Sequence, residues 1–316
     1  MMDKSMLKRV QKSDEVRKEV AILKRMKHPN VVRLYEVIDD PKNEKLFMVF
    51  EFVENGAVLK MLGNDRIDRP PYDEWKARKY FRDLINGLEY LHNNKIVHRD
   101  IKPENLLIDN HDRLKLTDFG VSHMLEDDND VLHTSAGTPA FLPPEACTIG
   151  SYKGKPSDIW SCGVTLYVMI FGSVPFTGAG ILGTYKAIIH DDPPYPSDAN
   201  PLLVDLFQKI LEKDPDRRAT ISTIKSHPWV TNNGEYTFNQ KNPEPVKVTE
   251  EEITQAISRG EQLKMIDKFV MMSKMKRRLA MKAKLARQNL LRKKSTYSSD
   301  ADSADDASRE TTTTTT

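Results

Sequence analysis

Residues 98–107 read "HRDIKPENLL" and residues 116–120 read "LTDFG". An acid, Asp100, stands two residues before Lys102 and five before the amide Asn105. A second acid, Asp118, follows where two short strand-like runs, "NLLID" and "RLKLTDFG", are joined by "NHD". Working outward, residues 72–94 have helical spacing, with Trp75, Tyr80, Phe81, Leu84, Leu88 and Leu91 on the apolar face. Residues 14–27 form another amphipathic helix, broken at His28-Pro29-Asn30. Two β-like runs, 31–40 and 45–53, are separated by "DPKN". Beyond residue 155 the pattern is mostly helix with Pro-marked turns. The layout is α+β: a small strand-rich lobe, then a larger helical one.

Composition sets the frame. The chain has 316 residues, 39% hydrophobic and 30% charged, with net charge +2. Such a balance gives no global pull toward nucleic acid or a membrane surface. Two cysteines, Cys147 and Cys162, make no disulfide framework, which fits a cytoplasmic or nuclear location. The N-terminus lacks the apolar core of a signal peptide. The most apolar run, residues 159–172, is too short to span a bilayer comfortably and reads as a buried central helix. Residues 259–294 are strongly basic. Residues 295–316 are Ser, Asp, Ala and Thr, too polar to order themselves.

Asp100, Lys102, Asn105 and Asp118 together suit transfer of a phosphoryl group from ATP to a hydroxyl. That reaction needs positioning and electrostatics more than covalent help. An acid orients or deprotonates the hydroxyl, a cation meets the moving phosphoryl, and an amide oxygen and a second carboxylate hold Mg²⁺. The four residues fit those roles in order.

At this point the chain resembles the eukaryotic protein kinases over residues 1 to about 230. "GTPAFLPPE" (137–145) sits where an activation segment ends, with "PPE" in place of the usual "APE". "SDIWSCGV" (157–164) looks like the central helix, and "DPDRRAT" (214–220) supplies Arg218. The resemblance implies a bilobal protein-kinase fold with an N-terminally truncated small lobe, then a basic helix and a disordered tail. It divides the chain into a partial small lobe (1–53), a large lobe (54–230), a linker (231–258), a basic regulatory helix (259–294) and the tail (295–316).

The resemblance also implies residue roles. Glu19 takes the place of the C-helix glutamate. Phe50 is the gatekeeper, Glu51 to Val53 the hinge that meets adenine, and Leu107 the apolar floor. Arg99 orders an activation segment whose phosphate would sit on Thr134 or Ser135. Thr138 hydrogen-bonds Asp100 and Lys102 and favours Ser or Thr as substrate. Asp158 braces the catalytic loop, and Arg218 pairs with Glu145. Neither a Gly-rich phosphate loop nor a "VAIK"-type strand lysine occurs in these 316 residues, so the chain alone is expected to be weak or inactive. The rival reading is a catalytically impaired fragment or pseudokinase that serves as a calmodulin- or kinase-binding module.

"VVRLYEVIDDPKNEKLFMVFEFV" (31–53), "HPWVTNNG" (227–234) and "VKVTEEEI" (246–253) narrow the resemblance. They look like the calcium/calmodulin-dependent protein kinase kinases and relatives that activate the AMP-activated protein kinase, whose catalytic subunit is the implied substrate. The Pro/Arg/Gly-rich insert of the animal members is absent. In "IDKFVMMSKMKRRL" (266–279), Ile266, Val270, Met275 and Leu279 fall at relative positions 1, 5, 10 and 14 among lysines and arginines. That spacing suits calmodulin, whose Met-rich grooves take apolar anchors. Residues 263–285 are expected to fold back on the large lobe until calcium-loaded calmodulin removes them.

Overall fold

The computed structural model describes residues 2–3, 14–40, 45–62, 66–118, 123–124, 130–132, 137–148, 150–238 and 244–259. The chain divides into two compact units, residues 1–39 with 44–258, and residues 40–43 with 259–316. Nearly all the described residues belong to the first. Thr134, Ser135 and the four residues expected to anchor calmodulin, Ile266, Val270, Met275 and Leu279, lie outside the described residues.

The chain opens with β1 (Met2–Asp3), α1 (Asp14–Arg25), β2 (Leu34–Asp40) and β3 (Lys45–Phe50). Two hairpin strands follow, β4 (Met61–Leu62) and β5 (Arg66–Ile67), and then α2 (Glu74–Asn93). Next come β6 (Ile96–Val97), β7 (Leu106–Ile108), β8 (Leu114–Leu116), β9 (His123–Met124), β10 (Val131–Leu132) and β11 (Tyr152–Lys153). The helical part is α3 (Gly154–Phe171), α4 (Gly180–His190), α5 (Pro201–Ile210), α6 (Ile221–Ser226) and α7 (Pro228–Thr231). A short α8 (Glu250–Thr254) and β12 (Ser258–Arg259) close the described chain.

The small lobe is a sheet ordered β1–β3–β2–β12, with α1 against it. Met2 pairs with Leu46 and Asp3 with Lys45, antiparallel. The large lobe is built on α2 and α3. Asp73 caps α2 by accepting the Lys76 amide at 2.8 Å, which satisfies one orphan N–H of its first turn. The helix buries Tyr80, Phe81, Leu84, Leu88 and Leu91 as its spacing predicts, but Trp75 is 57% exposed. At 100° per residue Trp75 lies more than a quarter-turn from the stripe centred on Leu84, so the first-turn indole faces out. The run 159–172 is indeed buried: α3 is covered nearly all round and ends at Gly172, whose φ of 79° supplies the left-handed stop. Among the described residues no helix is long and apolar enough to cross a membrane.

The lobes are stitched behind the site by the His28-Pro29-Asn30 break. Asn30 is buried and donates from Nδ2 to Leu114 O at 2.9 Å, while its carbonyl accepts Leu116 N at 2.9 Å. Gly87 of α2 lies under this corner. A Cβ there would come within 2.7 Å of Asn30 O and 2.4 Å of Leu116 Cδ1, so only glycine lets the helix approach.

Residues 244–258, inside the segment read as a linker, are packed against the body of the first unit. Val246 N donates to Asn94 Oδ1 at 2.7 Å, and Val246 and Val248 lie against the main core. Ala256 is 1% exposed within the small-lobe cluster of Val20, Ala21, Leu34, Val37 and Leu46. Thr249 and Glu252 form a reciprocal capping box at the start of α8, so the "VTEEE" signature is physically a helix start.

Candidate active site

The site is assembled from the loop 98–105, the strand end at 117–118 and the segment from Gly137. Asp158, 1% exposed near the start of α3, holds the loop from behind. Its carboxylate accepts His98 N at 2.9 Å, Arg99 N at 2.8 Å and His92 Nε2 at 2.9 Å. Two successive backbone donors turned to one carboxylate require an unusual backbone at the second, and Arg99 has φ 69°. Such a left-handed residue costs about 1–3 kcal/mol unless its surroundings impose it. Here the buried acceptor imposes it.

His98 ties this loop to the second acid. Its Nδ1 accepts Asp100 N at 3.3 Å and its Nε2 lies 3.0 Å from Thr117 O. A carbonyl can only accept, so Nε2 carries the proton. Thr117 N in turn donates to Asn105 O at 2.9 Å. Asp118 follows with φ 67° and an exposed side chain.

Asp100 is the hub. Its Oδ1 accepts the Thr138 hydroxyl at 2.9 Å. Its Oδ2 accepts Asn105 Nδ2 at 2.9 Å and lies 2.6 Å from Lys102 Nζ. Lys102 also donates to Thr138 Oγ1 at 2.8 Å. Asn105, buried in a 3₁₀ turn over Pro103–Asn105, additionally donates to Asp100 O at 2.8 Å. Charge-assisted bonds of this kind are short and strong, and they fix the carboxylate's orientation. Thr138 can reach because Gly137 (φ 115°) passes so close to Arg99 that a Cβ would meet its carbonyl at 2.5 Å.

The end of the segment is anchored separately. Glu145 and Arg218 form a bidentate pair at 2.7 and 2.9 Å, with the Arg218 side chain fully buried. Its remaining donors go to the carbonyls of Pro156, Glu212 and Lys213.

On the hinge side, Phe50 is half-buried and Val53 is 7% exposed. The Glu51 carboxylate accepts Lys115 Nζ at 3.0 Å and Arg33 N at 3.1 Å, so its side chain holds the strand pair together. The chain after the hinge runs along β7: Ile108 N donates to Gly56 O at 2.9 Å, and Ala57 bridges to Leu107. Glu19 is half-buried on α1, and burial pushes its carboxyl up to about 7.

The oxygens of Asn105 and Asp118 suit a hard cation. With its Nδ2 given to Asp100, Asn105 has its amide oxygen to offer, and Asp118 offers a carboxylate. Mg²⁺ takes just such a sparse protein set and completes it with phosphates and water.

Sequence reading did not find His92, His98, Thr117 or Gly137. The first signal was available at His98, which opens the quoted stretch. Thr117 and Gly137 act through backbone contacts that leave no spacing to read, and His92 meets Asp158 from 66 positions away.

The protein kinase domain family matches residues 1–230. The chain belongs to the protein kinases. It is 47% identical over 251 residues to a calcium/calmodulin-dependent protein kinase kinase of Caenorhabditis elegans, covering 77% of this chain and 45% of that protein. It is 44% identical over 258 residues to a probable serine/threonine-protein kinase of Dictyostelium discoideum, covering 80% and 36%. It is 44% identical over 217 residues to the serine/threonine-protein kinase GRIK1 of Arabidopsis thaliana, covering 69% and 54%. The chain thus spans between about a third and a half of the length of these relatives. Kinases of this family use ATP and typically Mg²⁺, and the relatives place the chain among the serine/threonine kinases.

Proposed function

We propose that the chain carries the catalytic lobe of a serine/threonine kinase that phosphorylates the activation-loop threonine of another kinase. The observation that supports it is the Asp100 hub, where one carboxylate meets Lys102, Asn105 and Thr138. Asp100 accepts the proton of the incoming hydroxyl as the new O–P bond forms and the bond to the ADP oxygen breaks. Lys102 lies beside it to meet negative charge on the phosphoryl group. Asn105 and Asp118 would hold Mg²⁺, which would offset negative charge on the ATP phosphates, and the hinge at Glu51–Val53 would receive adenine over Leu107. Arg99 pairs with an activation-segment phosphate on Thr134 or Ser135.

The substrate class rests on the relatives. One is a calcium/calmodulin-dependent protein kinase kinase, and the AMP-activated protein kinase's catalytic subunit fits as acceptor. Asp100→Asn keeps the size and one acceptor oxygen for Asn105 Nδ2 and Lys102 Nζ, and removes the base. With the family's glycine loop and strand lysine supplied ahead of Met1, that variant should lose about 10²–10⁴ in kcat on a catalytically dead AMP-activated kinase subunit. Equal transfer by parent and variant would favour a non-catalytic binding module.

Control by calmodulin is the second element, supported by the anchor spacing of Ile266, Val270, Met275 and Leu279. A peptide of residues 259–294 should bind calmodulin only with calcium, and Ile266→Ala with Leu279→Ala should weaken it by at least about tenfold. Unchanged binding of the alanine pair would reduce the segment to a basic patch.

A further inference from the structure

We infer that residues 244–258 are a strap that positions α1, and through it Glu19, so that the C-helix is set by chain lying beyond the kinase core. The role assigned to Glu19 rests on the kinase reading; the strap itself rests on geometry.

Helix α1 has two faces. Val16, Val20 and Leu23 turn to the sheet of β2 and β3. The opposite face carries Arg17, Ala21, Lys24 and Arg25, which by composition is a solvated face. Ala21 is nevertheless only 2% exposed. Its cover is the strap, whose Ala256 lies in the same apolar cluster, joined by Val248, Ile253 and Ile257.

Polar contacts run from that charged face to the strap, directly or by way of Glu36 on β2. Lys24 Nζ donates to Ala256 O at 3.2 Å and to Glu36 Oε1 at 2.8 Å. Glu36 Oε1 also accepts the Ser258 hydroxyl at 2.9 Å. Arg17 Nη1 donates to Thr254 O at 3.3 Å, and Arg25 Nε lies 3.2 Å from Glu252 Oε1. The carbonyls served are that of Thr254, left over at the C-terminal end of α8, and that of Ala256 just past its cap; both would otherwise need water. At its other end the strap is fixed to the large lobe through Val246 N and Asn94 Oδ1, with Asn94 Nδ2 bonded to Tyr90 O at 2.7 Å. It therefore connects the large lobe to the outer face of α1.

Why this matters for position follows from length. Helix α1 has 12 residues, and isolated helices shorter than about 12–15 residues are marginal in water. Its register comes from what packs on it. The sheet fixes one face and the strap the other, so losing the strap frees α1 to tilt or fray and carries Glu19 out of its half-buried place.

Ala256→Asp in the full 316-residue chain tests this, because it puts a charge where Ala256 is buried against the Ala21 cluster. Two readouts are compared with the parent. Amide exchange in α1 should quicken at least about tenfold, with exchange in α2 and α3 unchanged. The ¹³C-detected titration midpoint of the Glu19 carboxyl should fall from its raised value toward that of an exposed glutamate. Ala256→Ser, which keeps size and adds no charge, should leave both as in the parent. Exchange that stays slow in α1, or quickens equally in all three helices, would overturn the proposal. So would a Glu19 midpoint that does not move. Neither readout needs phosphoryl transfer, so failure of the Asp100→Asn test leaves this one standing on its own.

Discussion

Two regions of this chain are held by side chains reaching backbone, and they contrast in how they do it. The loop 98–105 is clamped from a single buried residue: Asp158 takes three hydrogen bonds at 2.8–2.9 Å and imposes a left-handed Arg99. The strap 244–258 is held by many small terms, namely a pair of buried alanines, two cation-to-carbonyl bonds and an exposed ion pair. A reacting group needs its position fixed to a fraction of an ångström, and concentrated, charge-assisted contacts supply that. A positioning element can be spread out, and its individual contacts are then cheap to lose.

The largest effect is expected at a second concentrated anchor, the buried Arg218–Glu145 pair that holds the end of the segment from Gly137. Arg218→Met leaves Glu145 and three backbone carbonyls without their donor, and breaking such a buried pair costs about 3–5 kcal/mol. Urea unfolding should show this as a lower midpoint. Replacing both partners with apolar residues should recover part of the loss. An intermediate effect is expected at Gly87→Ala, where the new methyl must displace Asn30 O or Leu116 Cδ1. Overpacking of this kind costs about 1–3 kcal/mol, and thermal unfolding would register it. The smallest effect belongs to the strap's rim. Arg25 and Glu252 are 59% and 33% exposed in their side chains, so Arg25→Ala should cost no more than about 1 kcal/mol and less still in high salt. If Arg25→Ala matched Arg218→Met, the division into concentrated buried anchors and a distributed strap would collapse.

The same contrast explains what could be read beforehand. Asp100, Lys102 and Asn105 lie within six residues of one another, and their partners Asp118, Thr138 and Asp158 sit in motifs with their own signatures. Helices α1 and α2 and the pair β7 and β8 showed their period in the apolar positions. Trp75 misled because an indole near a helix start counts as apolar in any periodicity, although the angle places it outside the stripe. The strap was not legible. Its hydrogen bonds from α1 join residues 232 and 237 positions apart, and an alanine among arginines and lysines reads as part of a solvated face. The pairing of Lys115 with Glu51 hid for a similar reason: 64 residues separate the two, Glu51 reads only as part of the hinge, and Lys115 alone reads as a surface charge.

Asn94 and Ala256 mark the two ends of a consequence for how this chain can be divided and inherited. The family match stops at residue 230, yet the small lobe's apolar cluster is completed by residues 248–257. Modularity, in the sense of a portable catalytic block, therefore ends at about residue 258. A recombination event or a gene fusion that joined another kinase's tail at residue 230 would bring in a segment never matched to Ala21, Lys24 and Glu36. Changes on the outer face of α1 and in the strap should consequently travel together through descent, although the two stretches stand at opposite ends of the kinase core.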